Sequence, residues 1–274
     1  MLHDLELARK LEAAHVGDGE SAANAVRELF PEIGADFEPI AGGSAIYCGV
    51  GSYLTHALGL GIGRDVSDAE LEALEQFYAE RGSAIEIDLS PFADASLPAR
   101  LSARGYRADR FEGVLVREIT ARDAEYVLPP DATFTIEEVS PNAADTYARV
   151  LRDGFALPPE FDDAMTQAGR TTAAMRSGRR FFAHVDGEPV GCGSVNIHGD
   201  VASLGGAATL PAFRRRGIQS ALVGWRLRLA ARSGATLCKV ETLPGSASQR
   251  NMERLDFHPA YTRMVMIREH ATES

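Results

Sequence analysis

The stretch ATLPAFRRRGIQSAL, residues 208–222, sets three consecutive arginines, Arg214, Arg215 and Arg216, and then Gly217 between a strand-like run and a helical one. A turn of this kind binds anions. The first N–H groups of a helix lack intrahelical partners, and the helix dipole places roughly half a positive charge there, so a diphosphate is satisfied in both geometry and charge. Gly217 lets the backbone approach the oxygens closely, and the guanidinium groups add charge-assisted hydrogen bonds. The same hexapeptide also fits a solvated surface turn, and taken alone it does not separate the two readings.

The turn needs elements that hold it. Residues 201–209 read as the strand entering it, and the spacing of Ile218, Leu222, Trp225 and Leu229 as the helix leaving it, ending near Gly234. Upstream, residues 133–139 alternate like an edge strand and residues 142–153 follow Ser140-Pro141 as a capped helix. After a further helical stretch, residues 181–185 and 190–197 flank Asp186-Gly187 in the manner of a tight hairpin. Downstream, residues 236–240 read as a buried strand, 246–255 as a short helix and 261–267 as a last strand.

Residues 127–131, VLPPD, read as a linker, because proline disfavours helix in the residue before it. They divide the chain into segments 1–126 and 131–274, each ordered as helices, strands, a long helix, a strand, a short helix and a closing strand. The segment ends superimpose: SLPARLSARGYRADRFEGVLVRE from Ser96 lies over ASQRNMERLDFHPAYTRMVMIRE from Ala247, and one offset of 151 residues pairs Tyr106 with Phe257 and Arg117 with Arg268. This points to a duplicated α/β fold, each copy a central mixed sheet flanked by helices.

The second segment resembles the GNAT superfamily of N-acetyltransferases. The family's turn, [Q/R]-x-x-G-x-[G/A], is matched by Arg214-Arg215-Arg216-Gly217-Ile218-Gln219, with Gln219 in place of the usual small residue. Ala208-Thr209-Leu210-Pro211 and the helix from Ile218 supply the flanking strand, proline and helix. VETLPGSASQRNMERLDF looks like the family's downstream strand, loop and helix, with Asp256-Phe257 standing where the family has Gly-Phe. The resemblance implies acetyl-coenzyme A as cosubstrate. Its pyrophosphate would lie on Arg214 to Ser220, its pantetheine amides against backbone groups of Ala207, Ala208 and Thr209, and its arm near Ser248 and Asn251. These last two residues equally fit cap and surface positions of a short helix. The resemblance also implies an amine acceptor, acetylated by way of a polarised thioester carbonyl, an N–H near Ala208 facing the carbonyl oxygen.

The proton chemistry is less clearly marked. Relatives often carry a carboxylate on the strand before the turn, but Ser203-Leu204-Gly205-Gly206 has none, and Met252 stands where they often place a tyrosine acid. Glu241 is the best remaining base, with a surface or structural role as the alternative; His184 and His198 are further candidates. In the first segment, Gly59, Gly61 and Gly63 lack the G-x-G-x-x-G spacing, and Asp65, Asp68 and Glu70 oppose phosphate at the next helix start, where capping explains them better. The first segment therefore reads as a degenerate copy without cofactor, and the whole as either an active enzyme or a binding or sensory module on the same fold.

Composition narrows the rest. Hydrophobic residues at 45% and charged residues at 24% suit a chain that builds a core, and no apolar run approaches the roughly 20 residues that span a bilayer. A net charge of -11 opposes phosphate-backbone binding, so nucleic acid is not expected as a partner. Cys48, Cys192 and Cys238 are scattered, each within an aliphatic run, which reads as buried and reduced; no metal site is expected. The acidic, helix-patterned N-terminus lacks signal-peptide features, so a cytoplasmic location is expected. Assembly into a homodimer is left open.

Overall fold

The computed structural model describes residues 5–270. In chain order the elements are α1 (Leu5–Leu29), β1 (Asp36–Ile40), β2 (Gly43–Tyr47), β3 (His56–Leu58), α2 (Asp68–Ala79), β4 (Ile85–Leu89), α3 (Leu97–Ala103) and β5 (Arg107–Glu118). There follow β6 (Thr135–Glu138), α4 (Ala144–Phe155), α5 (Asp162–Ala174), β7 (Gly178–Val185), β8 (Glu188–His198), β9 (Val201–Thr209), α6 (Ile218–Arg232), β10 (Leu237–Thr242), α7 (Ala247–Glu253) and β11 (His258–Arg268).

The chain forms two compact units, one of residues 1–115, 241–252 and 258–274, the other of residues 116–240 and 253–257. Unit 1 carries the strand order β1-β2-β3-β4-β11-β5, and unit 2 the order β10-β9-β8-β7-β6. Both sheets are mixed: β3 and β4 are parallel and β4 and β11 antiparallel, while β9 and β10 are parallel and β8 and β9 antiparallel. Segment 127–131 leads into β6, the edge strand of unit 2. Just before it, the Tyr126 ring lies so close to α6 that a Cβ at Gly224 would come within 2.4 Å of it.

Element starts follow the offset of 151 residues to within one residue, and they do so upstream of the segment that reveals it. Helices α2 and α6 begin at residues 68 and 218, strands β4 and β10 at 85 and 237, α3 and α7 at 97 and 247, β5 and β11 at 107 and 258. Each unit therefore has a long helix at the same place in its order.

In unit 1, alternate residues of β4 divide the sheet into unlike faces. Ile85, Ile87 and Leu89 enter an apolar core with Leu71, Leu74 and Phe77 of α2 and Leu97 and Leu101 of α3. Asp88, of opposite alternation, is buried with Glu12 and His15 of α1. In unit 2, Tyr147, Val150 and Leu151 of α4 pack on Phe182 of β7 and Cys192 of β8. The Asp186-Gly187 turn takes the expected form, with φ of 51° and 83°, positive at both centres as a two-residue hairpin with type I′ geometry requires. All three cysteines are free and buried. Among the described residues no helix is long and apolar enough to cross a membrane, and no group of three or more His, Cys, Asp or Glu could hold a metal ion.

The apolar stripe expected on α6 is shifted. Ile218 and Leu222 are buried as expected, but Trp225 and Leu229 are only half-buried, and Arg226 is buried at 2% exposure. The helix can bury this charge because the guanidinium reaches backbone carbonyls: Nε donates to Leu222 O at 2.9 Å and Nη1 to Ser194 O at 3.0 Å.

Candidate functional site

Two groups of residues could do chemistry, one in each unit. In unit 2, β9 leads through a single helical turn at 211–213 to Gly217, which caps the start of α6 at φ 79°. As a glycine, the cap residue itself offers no side chain to the helix start. The first helical hydrogen bond runs from Ala221 N to Gly217 O at 3.0 Å, so the N–H groups of Ile218, Gln219 and Ser220 lie ahead of the ladder. Arg215 is also held at positive φ, 65°.

The three arginines divide their work. Arg214 braces the turn: Nη2 donates to Gly154 O at the end of α4 (2.7 Å), and Nε to Thr209 O at the end of β9 (3.2 Å). Arg216 lies over the Phe213 ring at 5.1 Å. Arg214, Arg215, Arg216 and Gly217 are exposed. Cationic side chains and a helix start whose cap residue has no side chain fit a diphosphate.

The equivalent helix start in unit 1 is already filled. At α2, Ser67 and Glu70 form a capping box: Ser67 Oγ accepts from Glu70 N at 3.2 Å, and Glu70 Oε2 accepts from Ser67 N at 2.8 Å. Arg64 donates to the same carboxylate group at 2.8 Å. The side-chain hydroxyl and carboxylate thus occupy donors that an anion would need, which bears out the capping reading of Glu70. Ser67→Ala is expected to lower stability by about 1 kcal/mol in denaturant unfolding; an unchanged midpoint would show that the cap contributes nothing.

Strand β9 changes geometry between its buried half and the turn. Its pairing with β10 covers Val201 to Leu204, whereas β9 continues to Thr209. Opposite β8, Cys192 pairs with Ala208 and Ser194 with Gly205, so Gly206 and Ala207 together face the single residue Gly193. This is a β-bulge, with Gly206 at φ 50°. Ala207, Ala208 and Thr209 are half-buried beyond it. The end of α4 touches them so closely that a Cβ at Gly154 would lie 2.6 Å from that of Ala208.

Glu241, Ser248 and Asn251 belong to unit 1. Ser248 is exposed and Asn251 half-buried on α7, and Met252, beside them, is buried. Glu241 joins an ionic network on the α1 face that the sequence does not announce. Its Oε1 accepts from Arg263 Nη1 at 2.8 Å and lies 3.1 Å from His15 Nδ1. His15 Nε2 is 2.9 Å from Asp88 Oδ2, and His56 Nδ1 is 3.4 Å from the same oxygen. On the far side of Arg263, Nε donates to Glu12 Oε1 at 2.9 Å, which also accepts from the Tyr261 hydroxyl at 2.7 Å.

Burial works to raise the Asp88 carboxyl, but the His56 charge and hydrogen bonds from both histidines outweigh it and hold the group well below its usual range. Burial likewise opposes protonation of His56, and the Asp88 charge reverses that, raising the imidazole. Glu112 is raised by burial and then by Asp88 and Glu241. The Glu241 side chain keeps 30% exposure while its Oε1 is fixed from two sides, so the carboxylate is both oriented and reachable.

His184 and His198 lie apart from that network, in unit 2. His184 on β7 stacks edge-on against Phe182, with ring centroids 5.7 Å apart, and its Nδ1 is buried without a hydrogen bond. His198 ends β8 opposite Val201.

Residues 146–257 match the acetyltransferase (GNAT) family. Among solved structures, the chain is similar to a GCN5-related N-acetyltransferase from Kribbella flavida (20% identity, 90% of this chain and 95% of that one, TM-score 0.63). It is also similar to a tandem GNAT protein from the clavulanic acid biosynthesis pathway (16% identity, 84% and 79%, TM-score 0.59). A third is a GCN5-related N-acetyltransferase from Sphaerobacter thermophilus (16% identity, 80% and 73%, TM-score 0.54). At these identities the likeness is one of fold. No curated protein sequence matches.

Proposed function

We propose that this chain, whose residues 146–257 match the acetyltransferase (GNAT) family, moves an acetyl group from acetyl-coenzyme A to a primary amine of a small molecule or a protein. The observation that carries the reading is the start of α6, whose cap residue Gly217 has no side chain and stands among exposed arginines, set against the self-capped start of α2. One of two equivalent helix starts is kept ready for an anion. When bound, acetyl-coenzyme A supplies the activated acyl group. The backbone N–H groups of residues 217–220 hold the pyrophosphate, Arg215 and Arg216 add charge, and Arg214 keeps the turn in shape from behind. Ala207, Ala208 and Thr209 offer backbone groups to the pantetheine amides, and Ser248 and Asn251 are assigned to its arm.

An amine attacks only when neutral, and a free alkyl amine has a pKa near about 10.4, so a base must take a proton. We assign that role to Glu241. The rival reading, a fold that binds the cofactor without turnover, is favoured by Met252, buried where a tyrosine acid is implied. Free thiol released from acetyl-coenzyme A across a panel of amines decides between the two, and no release with any amine would favour the rival.

The turn itself is tested by Gly217→Val. A β-branched residue at φ 79° is strained, and no atom lies within 4 Å of the added Cβ, so the loss comes from reshaping the turn and not from a clash. The coenzyme A dissociation constant is expected to rise at least about 10-fold in calorimetry, equivalent to about 1.4 kcal/mol. Unchanged affinity in a folded variant would move the site elsewhere.

A further inference from the structure

The bulge in β9 is held from both faces by side chains. From one face, the Tyr147 hydroxyl on α4 donates to Gly206 O at 2.6 Å, and the Cys192 thiol approaches the same oxygen at 3.6 Å. From the other face, where Gly193 leaves room, the Arg226 guanidinium donates to Gly205 O at 3.4 Å and to Ser194 O. A Cβ at Gly193 would lie 2.9 Å from Arg226 Cζ, and one at Gly206 would lie 2.9 Å from the Tyr147 hydroxyl. A Cβ at either position would press on these side chains, and the φ of 50° at Gly206 favours glycine there besides.

In a regular ladder the Gly206 carbonyl would lie in the sheet plane, towards a neighbouring strand. Here it turns to a hydroxyl on a helix packed against the sheet. The peptide is planar and trans, so the Ala207 N–H points opposite to that carbonyl and is turned out of the ladder plane with it. A hydroxyl donating to a peptide oxygen polarises the whole peptide and strengthens its N–H as a donor. Arg226 adds a buried positive charge within two peptides of that N–H. Among the described residues only backbone carbonyls accept from it, and no carboxylate pairs with it. Burial raises the Tyr147 hydroxyl well above its ordinary range, so it keeps the proton it donates.

We propose that Tyr147 and Arg226 are positioning residues that aim and polarise the Ala207 N–H as the donor to the thioester carbonyl oxygen. This rests on the acetyl-transfer reading above. In that reaction the amine nitrogen bonds to the carbonyl carbon, and the carbonyl electron pair moves onto oxygen. The pair then returns as the carbon–sulfur bond breaks; of the two protons that the ammonium form of the acceptor loses on its way to the amide, the base holds the first and the departing sulfur takes the second. Charge builds at the oxygen, and a fixed donor beside a buried cation lowers its cost most where water is excluded.

The test uses the full chain and needs no acceptor. With acetyl-coenzyme A carrying ¹³C at the thioester carbonyl, isotope-edited infrared spectra should show the bound carbonyl band below its frequency in water. In Tyr147→Phe that shift should fall by more than half, while the dissociation constant for coenzyme A stays within about 2-fold, a change well under 1 kcal/mol. Arg226→Lys, which keeps the charge but not the fork, should retain more of the shift than Arg226→Met. A merely structural role would move affinity and stability without moving the band. If Tyr147→Phe binds coenzyme A and leaves the band where the wild type has it, the inference is wrong and the acetyl-transfer reading stands; if the wild type binds no acetyl-coenzyme A, both fall.

Discussion

Arg263→Met is expected to lower the free energy of unfolding by about 3–5 kcal/mol, the range for removing one partner of a buried ion pair. The Arg263 side chain is fully buried and serves two carboxylates, Glu12 through Nε and Glu241 through Nη1. Glu12, itself 2% exposed on its side chain, would keep, among the described residues, only the Tyr261 hydroxyl, which brings a hydrogen bond but no charge. Methionine fills much of the same volume, so the loss reports the orphaned carboxylate and not a cavity. Adding Glu12→Gln should then recover part of the loss, because a neutral amide is cheaper to bury than an unpaired carboxylate. Urea unfolding of the two single variants, the double variant and the wild type closes the cycle. A single-variant cost below about 1 kcal/mol, or no recovery in the double variant, would mean that burial of Glu12 does not depend on Arg263.

This network also marks the limit of what is legible in the chain. Strand 201–209 and the helix from Ile218 could be read because apolar periodicity and the Pro and Gly that punctuate it act over a few residues. Asp186-Gly187 could be read because positive φ at both centres selects those residue types. The offset of 151 could be read at the segment ends, where the sequences still match; its continuation through α2 and α6 shows only in the geometry. The contacts of Tyr147 with Gly206, His15 with Asp88 and Tyr261 with Glu12 span 59, 73 and 249 residues, and no local spacing encodes them. Arg226 misleads in a different way. A charge one position from an apolar Trp reads as the solvated side of a helix, and only the carbonyls it reaches across β8 and β9 make it the buried one.

Glu241→Gln is expected to leave coenzyme A affinity unchanged and to lower the acetylation rate by about 100-fold to 10,000-fold, the effect of losing a general base. The pyrophosphate turn and α6, to which we assign cofactor affinity, do not include residue 241. A glutamine oxygen can still accept from Arg263 Nη1, which the carboxylate does at 2.8 Å, so the variant should fold and keep its orientation. What it loses is the capacity to take a proton. The wild-type rate should rise with pH through the ionisation that limits it. The variant should recover part of its rate at high pH, where more of the acceptor is already neutral and needs no base. Rates for the best acceptor across that range, measured beside the affinity, separate the two functions of the protein. Wild-type rates in Glu241→Gln at every pH would make the carboxylate a structural partner of Arg263 and His15, and would pass the proton to His184, His198 or bulk water.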